Sequence, residues 1–257
     1  MATVELSSCA WALTGPEEDA LDTLSQIGFR SVDIQAKTFQ SPQARTRIQD
    51  LGFSVRCLGL SFNMDDGAAL DGTTPATRQA ALDHCRESLD HAAALSIDTT
   101  YVVPGEDSAA LPHFTTTLIQ VAEFAAERGI RVGVEHFPGK ALPTASGTLD
   151  YLADLGHPNL YLLLDSGHLQ ISKEDPATVI AAAGDRLGYV HLDDNDGEDD
   201  LHWSLLDGVL TENELDAIFA ALEQSPYNGP VSLELNPNLP DPTTALSKSR
   251  TITLQHL

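Results

Sequence analysis

Four short apolar runs in the second half of the chain each end in a residue able to hold a divalent cation: Glu135 in VGVE, Asp165 in YLLLD, His191 in YVH and Glu234 in VSLE. Carboxylates with one imidazole suit a hard or borderline metal ion. The four recur at intervals of about one strand plus one helix, and each comes last in a strand-like run. Parallel strands would therefore deliver them to one end of a sheet. Each position alone has a plain alternative, because a carboxylate or histidine that ends a strand can cap the next helix or bind a loop amide. Four together favour a metal centre.

Residues so far apart need a regular frame to meet. Strand-like and helix-like segments alternate from end to end, with candidate strands at Val4–Ser8, Ser31–Gln35, Ser54–Leu60, Thr99–Val103, Arg131–Glu135, Tyr161–Asp165, Gly188–Leu192 and Val231–Leu235. Several are near-continuous apolar runs, as expected where both faces of a parallel strand are covered. Helix signals lie between them. GPEEDALDTLSQIGF has acidic residues after Pro16 and stops at Gly28, TENELDAIFAALE opens with a Thr211–Glu214 capping box, and Asp241-Pro242 can start the last helix. Eight such units with right-handed crossovers close into a single (β/α)8 TIM barrel. The length of 257 residues fits one such domain over residues 1–257, and no linker or repeat divides it. A doubly wound sheet would want a phosphate-binding glycine fingerprint after the first strand, and none is there.

Composition narrows the partners. With 38 acidic against 14 basic residues, a net charge of -24, the chain repels phosphate backbones and anionic lipid, so neither nucleic acid nor membrane is expected as a partner. No apolar run approaches the ~18 residues of a membrane span, and MATVELSSCAWAL does not read as a secretion signal. The three cysteines, Cys9, Cys57 and Cys85, have no CxxC spacing and read as reduced thiols of a cytoplasmic protein.

The motifs VGVEHFPG, LLLDSGHLQIS, YVHLDDNDG with LHWSLLDGVL, and VSLELN, in this order, resemble the sugar isomerase/epimerase superfamily of xylose-isomerase-like barrels. That group includes ketose 3-epimerases, hydroxypyruvate isomerase, inosose dehydratase and, more distantly, endonuclease IV. The resemblance is strong over the second half and rests on the strand–helix rhythm in the first. It implies that Glu135, Asp165, His191 and Glu234 bind one divalent ion (manganese, magnesium, cobalt or zinc). It also implies that Glu135 and Glu234 act as acid and base on opposite faces of a small sugar or cyclitol. Contacts to that substrate are implied for His168, expected to point into the mouth, and for His202 and Trp203 in the seventh loop. An ion would polarise the ketose carbonyl and stabilise the enediolate formed when the adjacent carbon loses its proton. If the same enolate expels a β-hydroxyl, the enzyme is a dehydratase of a keto-cyclitol or dehydroshikimate-like substrate. A non-catalytic sugar-binding barrel is the third alternative, and the two intact glutamates count against it. A homo-oligomer is left open.

Departures from the pattern leave the particular reaction open. The seventh loop, DDNDGEDDLHW, lacks the arginine that ketose epimerases generally carry, and Asp33 or Gln35 in VDIQAK stands where a glutamate often ends the second strand. Histidines that endonuclease IV carries after its third and fourth strands are missing from CLGLSFN and YVVPG. His168, Asp200 and His202 keep the pattern of another of its sites, so a second metal there is left open. His84, His91, His113 and His157 read as structural or solvated. Lys37 and Lys140 are the lysines expected in loops near the mouth, against six acidic residues in the seventh loop, and an unphosphorylated substrate is expected.

Overall fold

The apolar runs become short strands wherever polar or capping residues bound them. In a computed structural model describing residues 5–257 they are β1 (Leu6–Cys9), β2 (Ser31–Gln35), β3 (Ser54–Gly59), β4 (Thr99–Val102), β5 (Arg131–Glu135), β6 (Leu160–Asp165), β7 (Leu187–Leu192) and β8 (Val231–Leu233). Each pairs in parallel with the next, and β8 returns to β1 through Leu6–Val231 and Ser8–Leu233, closing a (β/α)8 barrel. Strand positions match the expected ones to within one or two residues. Val4, expected to open the first strand, lies outside the described residues.

The crossovers are α1 (Glu17–Ile27), α2 (Pro42–Leu51), α3 (Pro75–Ala94), α4 (Leu111–Ala126), α5 (Ala145–Leu155), α6 (Ser166–Ser172), α7 (Pro176–Ala183), α8 (Glu212–Gln224) and α9 (Pro242–His256). Their ends follow local chemistry. Gly28 takes φ 107° to stop α1, where a side chain would be strained. The Thr211–Glu214 capping box is formed, and Asp241 caps α9 by accepting from the Thr244 amide. No helix among the described residues is long and apolar enough to cross a membrane.

Alternation along each strand divides the core. Val32, Ile34, Leu162, Leu164, Val190 and Leu192 belong to the large cluster shared with helix residues such as Leu21, Leu118 and Ile218. Cys57, Tyr101, Leu163 and Tyr189 form a separate cluster inside the barrel. Two register shifts adjust this phase: one between β2 and β3 at Val32/Asp33, the other between β6 and β7, where Leu162 faces Leu187 but Leu163 faces Tyr189. The residue left over in β7 is Gly188, whose missing Cβ would sit 2.5 Å from Tyr161 Cβ. A one-residue slip exchanges the faces of a strand, and with this one Tyr189 packs inside the barrel, two residues below His191 on the same strand.

Candidate active site

Glu135 ends β5, Asp165 ends β6, His191 is the penultimate residue of β7, and Glu234 follows β8 by one residue. All four are buried, and each offers a ligand atom within 4.8 Å of the others. The structure therefore brings together the whole set expected from the strand ends. Asp165 shows how a capping oxygen and a free ligand atom coexist in one side chain. Its Oδ1 accepts from the His168 amide (2.9 Å) and caps α6, while its Oδ2 is buried without a hydrogen-bond partner. His191 Nδ1 and Glu234 Oε2 meet at 2.5 Å, yet neither has a partner in hydrogen-bond geometry. Buried polar atoms left unpaired in this way are costly, and a cation shared among them would satisfy them. The donor set fits a divalent ion.

Charge is strongly redistributed. Burial pushes Glu135 up to about 8 and Asp165 up to about 7, with Asp193 adding to the effect on Asp165. Burial would also raise Glu234, but His191 and His202 beside it hold it down at about 2. For His168 burial favours the neutral ring, and Asp165, Asp200 and Glu135 outweigh it, raising the ring to about 10. His191 and His202 are held well above the usual imidazole range, by Glu234 and by Asp193 respectively, despite burial. Without a metal, protonated imidazoles supply the positive charge that the carboxylates demand.

The other expected residues divide. His168 sits against the cluster, with Nδ1 3.7 Å from Glu135 and 3.8 Å from Asp165. It lies in the first turn of α6, fully buried, with Nδ1 2.8 Å from the His136 carbonyl oxygen, its ring 4.2 Å from that of Phe137 and Nε2 3.4 Å from Asp200. The cause is α6 itself, which starts directly after Asp165 and turns the side chain inward. His202 covers the cluster from above, 2.9 Å from Asp193, 3.1 Å from Asp200 and 3.1 Å from the Glu234 carbonyl oxygen. Trp203, expected as a platform for substrate, instead lines a surface cavity of about 310 Å³ with Ser204, Leu239, Pro240 and Asp241. His202 takes φ 47° and Trp203 bridges to Asp194 through the backbone, which gives the two neighbours separate surroundings. His84 and His91 are structural, bound to the carbonyl oxygens of Leu60 and Thr38.

Sequence reasoning missed Trp11, just past β1. Its indole N–H donates to Glu234 Oε1 (3.0 Å), it stacks with Phe62, and its edge faces His191. The available signal was an aromatic residue directly after the end of a barrel strand. Also missed was the direction of Asp33, which lies inside the barrel beneath His191 at 3.6 Å.

A closed eight-stranded barrel carrying an acid–imidazole cluster at the C-terminal ends of its strands has the general form of a TIM-barrel enzyme site. Residues 21–252 match the family model of xylose isomerase-like TIM barrels, and the chain belongs to that family. An L-ribulose 3-epimerase of Mesorhizobium japonicum is 25% identical over 254 residues, 91% of this chain and 81% of that protein. Another from Methylomonas sp. is 32% identical over 120 residues, which span 45% of this chain and 38% of that protein. The crystal structure of a D-allulose 3-epimerase from Methylomonas sp. superposes with a TM-score of 0.83 at 22% identity, covering 100% of this chain and 99% of that one, which shows a shared fold.

Proposed function

We propose that the protein is a divalent-metal-dependent isomerase or epimerase of a small keto sugar or polyol, working by proton transfer next to the carbonyl. The convergence of Glu135, Asp165, His191 and Glu234 carries this reading, and the sugar 3-epimerases among its relatives support it. Those four residues would hold the ion, which when bound polarises the substrate carbonyl and stabilises the negative charge left by proton removal. The protein supplies the rest. Glu234, kept ionised by the histidines around it and held at Oε1 by Trp11, is the proton acceptor. Glu135, whose affinity for a proton burial raises, returns a proton from the other side. Two carboxyl groups pushed in opposite directions form the acid–base pair this chemistry needs. Delivered by β5 and the end of β8, they approach a substrate in the mouth from different sides, as epimerisation requires.

A panel of unphosphorylated ketoses and cyclitols in deuterated water tests the proposal. Solvent deuterium should enter the carbon beside the carbonyl without any ultraviolet-absorbing enone. Glu135→Gln and Glu234→Gln should each lower turnover by roughly 10²–10⁴-fold with the melting curve retained. Metal content of each variant must be measured alongside, because both residues are ligand candidates. Near-wild-type turnover in either variant would remove that residue from the mechanism. Accumulating enone would replace the isomerase with a dehydratase.

A further inference from the structure

Asp33 is a fully buried carboxylate, and among the described residues no lysine or arginine is its hydrogen-bond or ion-pair partner. Its Oδ1 accepts from Ser7 Oγ (3.0 Å) and Tyr189 OH (2.6 Å). Its Oδ2 faces His191 Nε2 at 3.6 Å and Cys9 Sγ at 3.9 Å. Cys9, Ser7 and Tyr189 come from three different positions on β1 and β7, so the carboxylate is held from both sides of the barrel interior. Among the described residues, the only basic group it meets is the His191 ring. A buried charge is stable only where it is paired.

The two nitrogens of His191 have different neighbours. Nδ1 lies 2.5 Å from Glu234 Oε2, within the ligand cluster, and Nε2 lies on the Asp33 side. A neutral imidazole carries one N–H, and the nitrogen without it supplies the lone pair for a metal. An ionised carboxylate accepts hydrogen bonds and cannot donate them.

We propose that Asp33 is the positioning residue that keeps the His191 proton on Nε2 and so presents the Nδ1 lone pair to the metal. This rests on the reading of the cluster as a metal centre. Asp33 touches neither the ion nor the substrate and acts through the orientation and tautomer of the ring. The bonds from Ser7 and Tyr189 fix the carboxylate, so that its second oxygen is left for His191 Nε2, which has no other partner, and for the weakly donating Cys9 thiol.

Asp33→Asn gives a sharp test. The amide oxygen can still accept from Ser7 and Tyr189, which turns the NH2 group toward His191. That group donates, so Nε2 must become the acceptor and the proton moves to Nδ1, where it blocks the ion. Zinc affinity of the purified protein, measured by competition with a chelating dye, should fall by ~10–100-fold in the variant. In zinc-loaded wild-type protein with ¹⁵N-labelled histidine, NMR should show the His191 proton on Nε2 and Nδ1 shifted by the metal. Equal zinc affinity in wild type and variant would overturn the role of Asp33 while leaving the metal centre standing. A proton on Nδ1 in the zinc-loaded wild type would overturn it whether or not the variant folds. Failure of the wild type to bind zinc, manganese, cobalt or magnesium would remove the metal centre and this role together.

Discussion

Burial raises the proton affinity of Glu135 and Asp165, and the carboxyl groups that share their space add to the effect. In an unfolded chain such groups titrate near ~4. Their folded values are higher, at about 8 and about 7, so the folded state binds these protons more tightly. The resulting stability is complete below the unfolded values and is lost as pH rises through the folded ones. Metal-free protein should therefore lose melting temperature between about pH 5 and 8, and an added divalent ion should restore more of it at the upper end. The ion must displace the protons, so calorimetric titration in buffers of different ionisation heat should show net proton release on loading near neutral pH. An absence of release would mean that both carboxylates are already ionised. Legibility at this scale follows covalent neighbourhood. The four strand-end ligand candidates could be read because each closes its own apolar run. Trp11 could not, because its partner Glu234 is 223 positions away. Asp33 could be seen as a departure, but only the packed interior shows that it turns toward His191.

At the scale of elements, strand phase matters as much as strand existence. The sequence reading placed β7 correctly, since its apolar run is clear, but nothing in GYVHL shows that Gly188 is an extra residue against β6. The shift exists only once β6 lies alongside. A methyl group on Gly188 would meet Tyr161 Cβ at 2.5 Å, and that atom is tied to the backbone and cannot swing away. Gly188→Ala should therefore destabilise the protein by ~1–3 kcal/mol in chemical denaturation and weaken metal binding, because any relaxation moves the strand that carries His191. A variant with unchanged stability and metal affinity would show that the β6–β7 pair has more slack than this geometry allows. Helix ends were legible because caps are local: the Thr211–Glu214 box and the Asp241 cap formed as read. The short helix α6 was not, and it is what buries His168 beside Glu135 and Asp165.

Across the whole molecule the charge is -24, and few cations near the mouth are free to meet an anion. Lys37 pairs with Asp65 at 2.7 Å and Lys140 with Glu106 at 3.1 Å. Lys173, which the sequence reading did not place near this end, follows α6 and donates to the Gly197 carbonyl oxygen at 2.5 Å. A phosphate group would have to break such pairs and approach the acidic seventh loop. For any ketose the protein turns over, kcat/KM for its phosphate ester should be lower by roughly tenfold or more, and added salt should narrow the gap as it screens the repulsion. Preference for the ester would point to Lys37, Lys140 or Lys173 as its receptor.

The closure of β1 against β8 also sets an order in time. Trp11 is synthesised 223 residues before Glu234, yet the two share a hydrogen bond. At ~5–20 residues per second, Trp11 waits roughly 10–45 s for its partner. Until then the nascent barrel has an open seam, and the candidate ligand set lacks Glu234. If the cluster is the metal centre proposed above, ions can visit that incomplete cup, but the full grip forms only once β8 has closed the barrel.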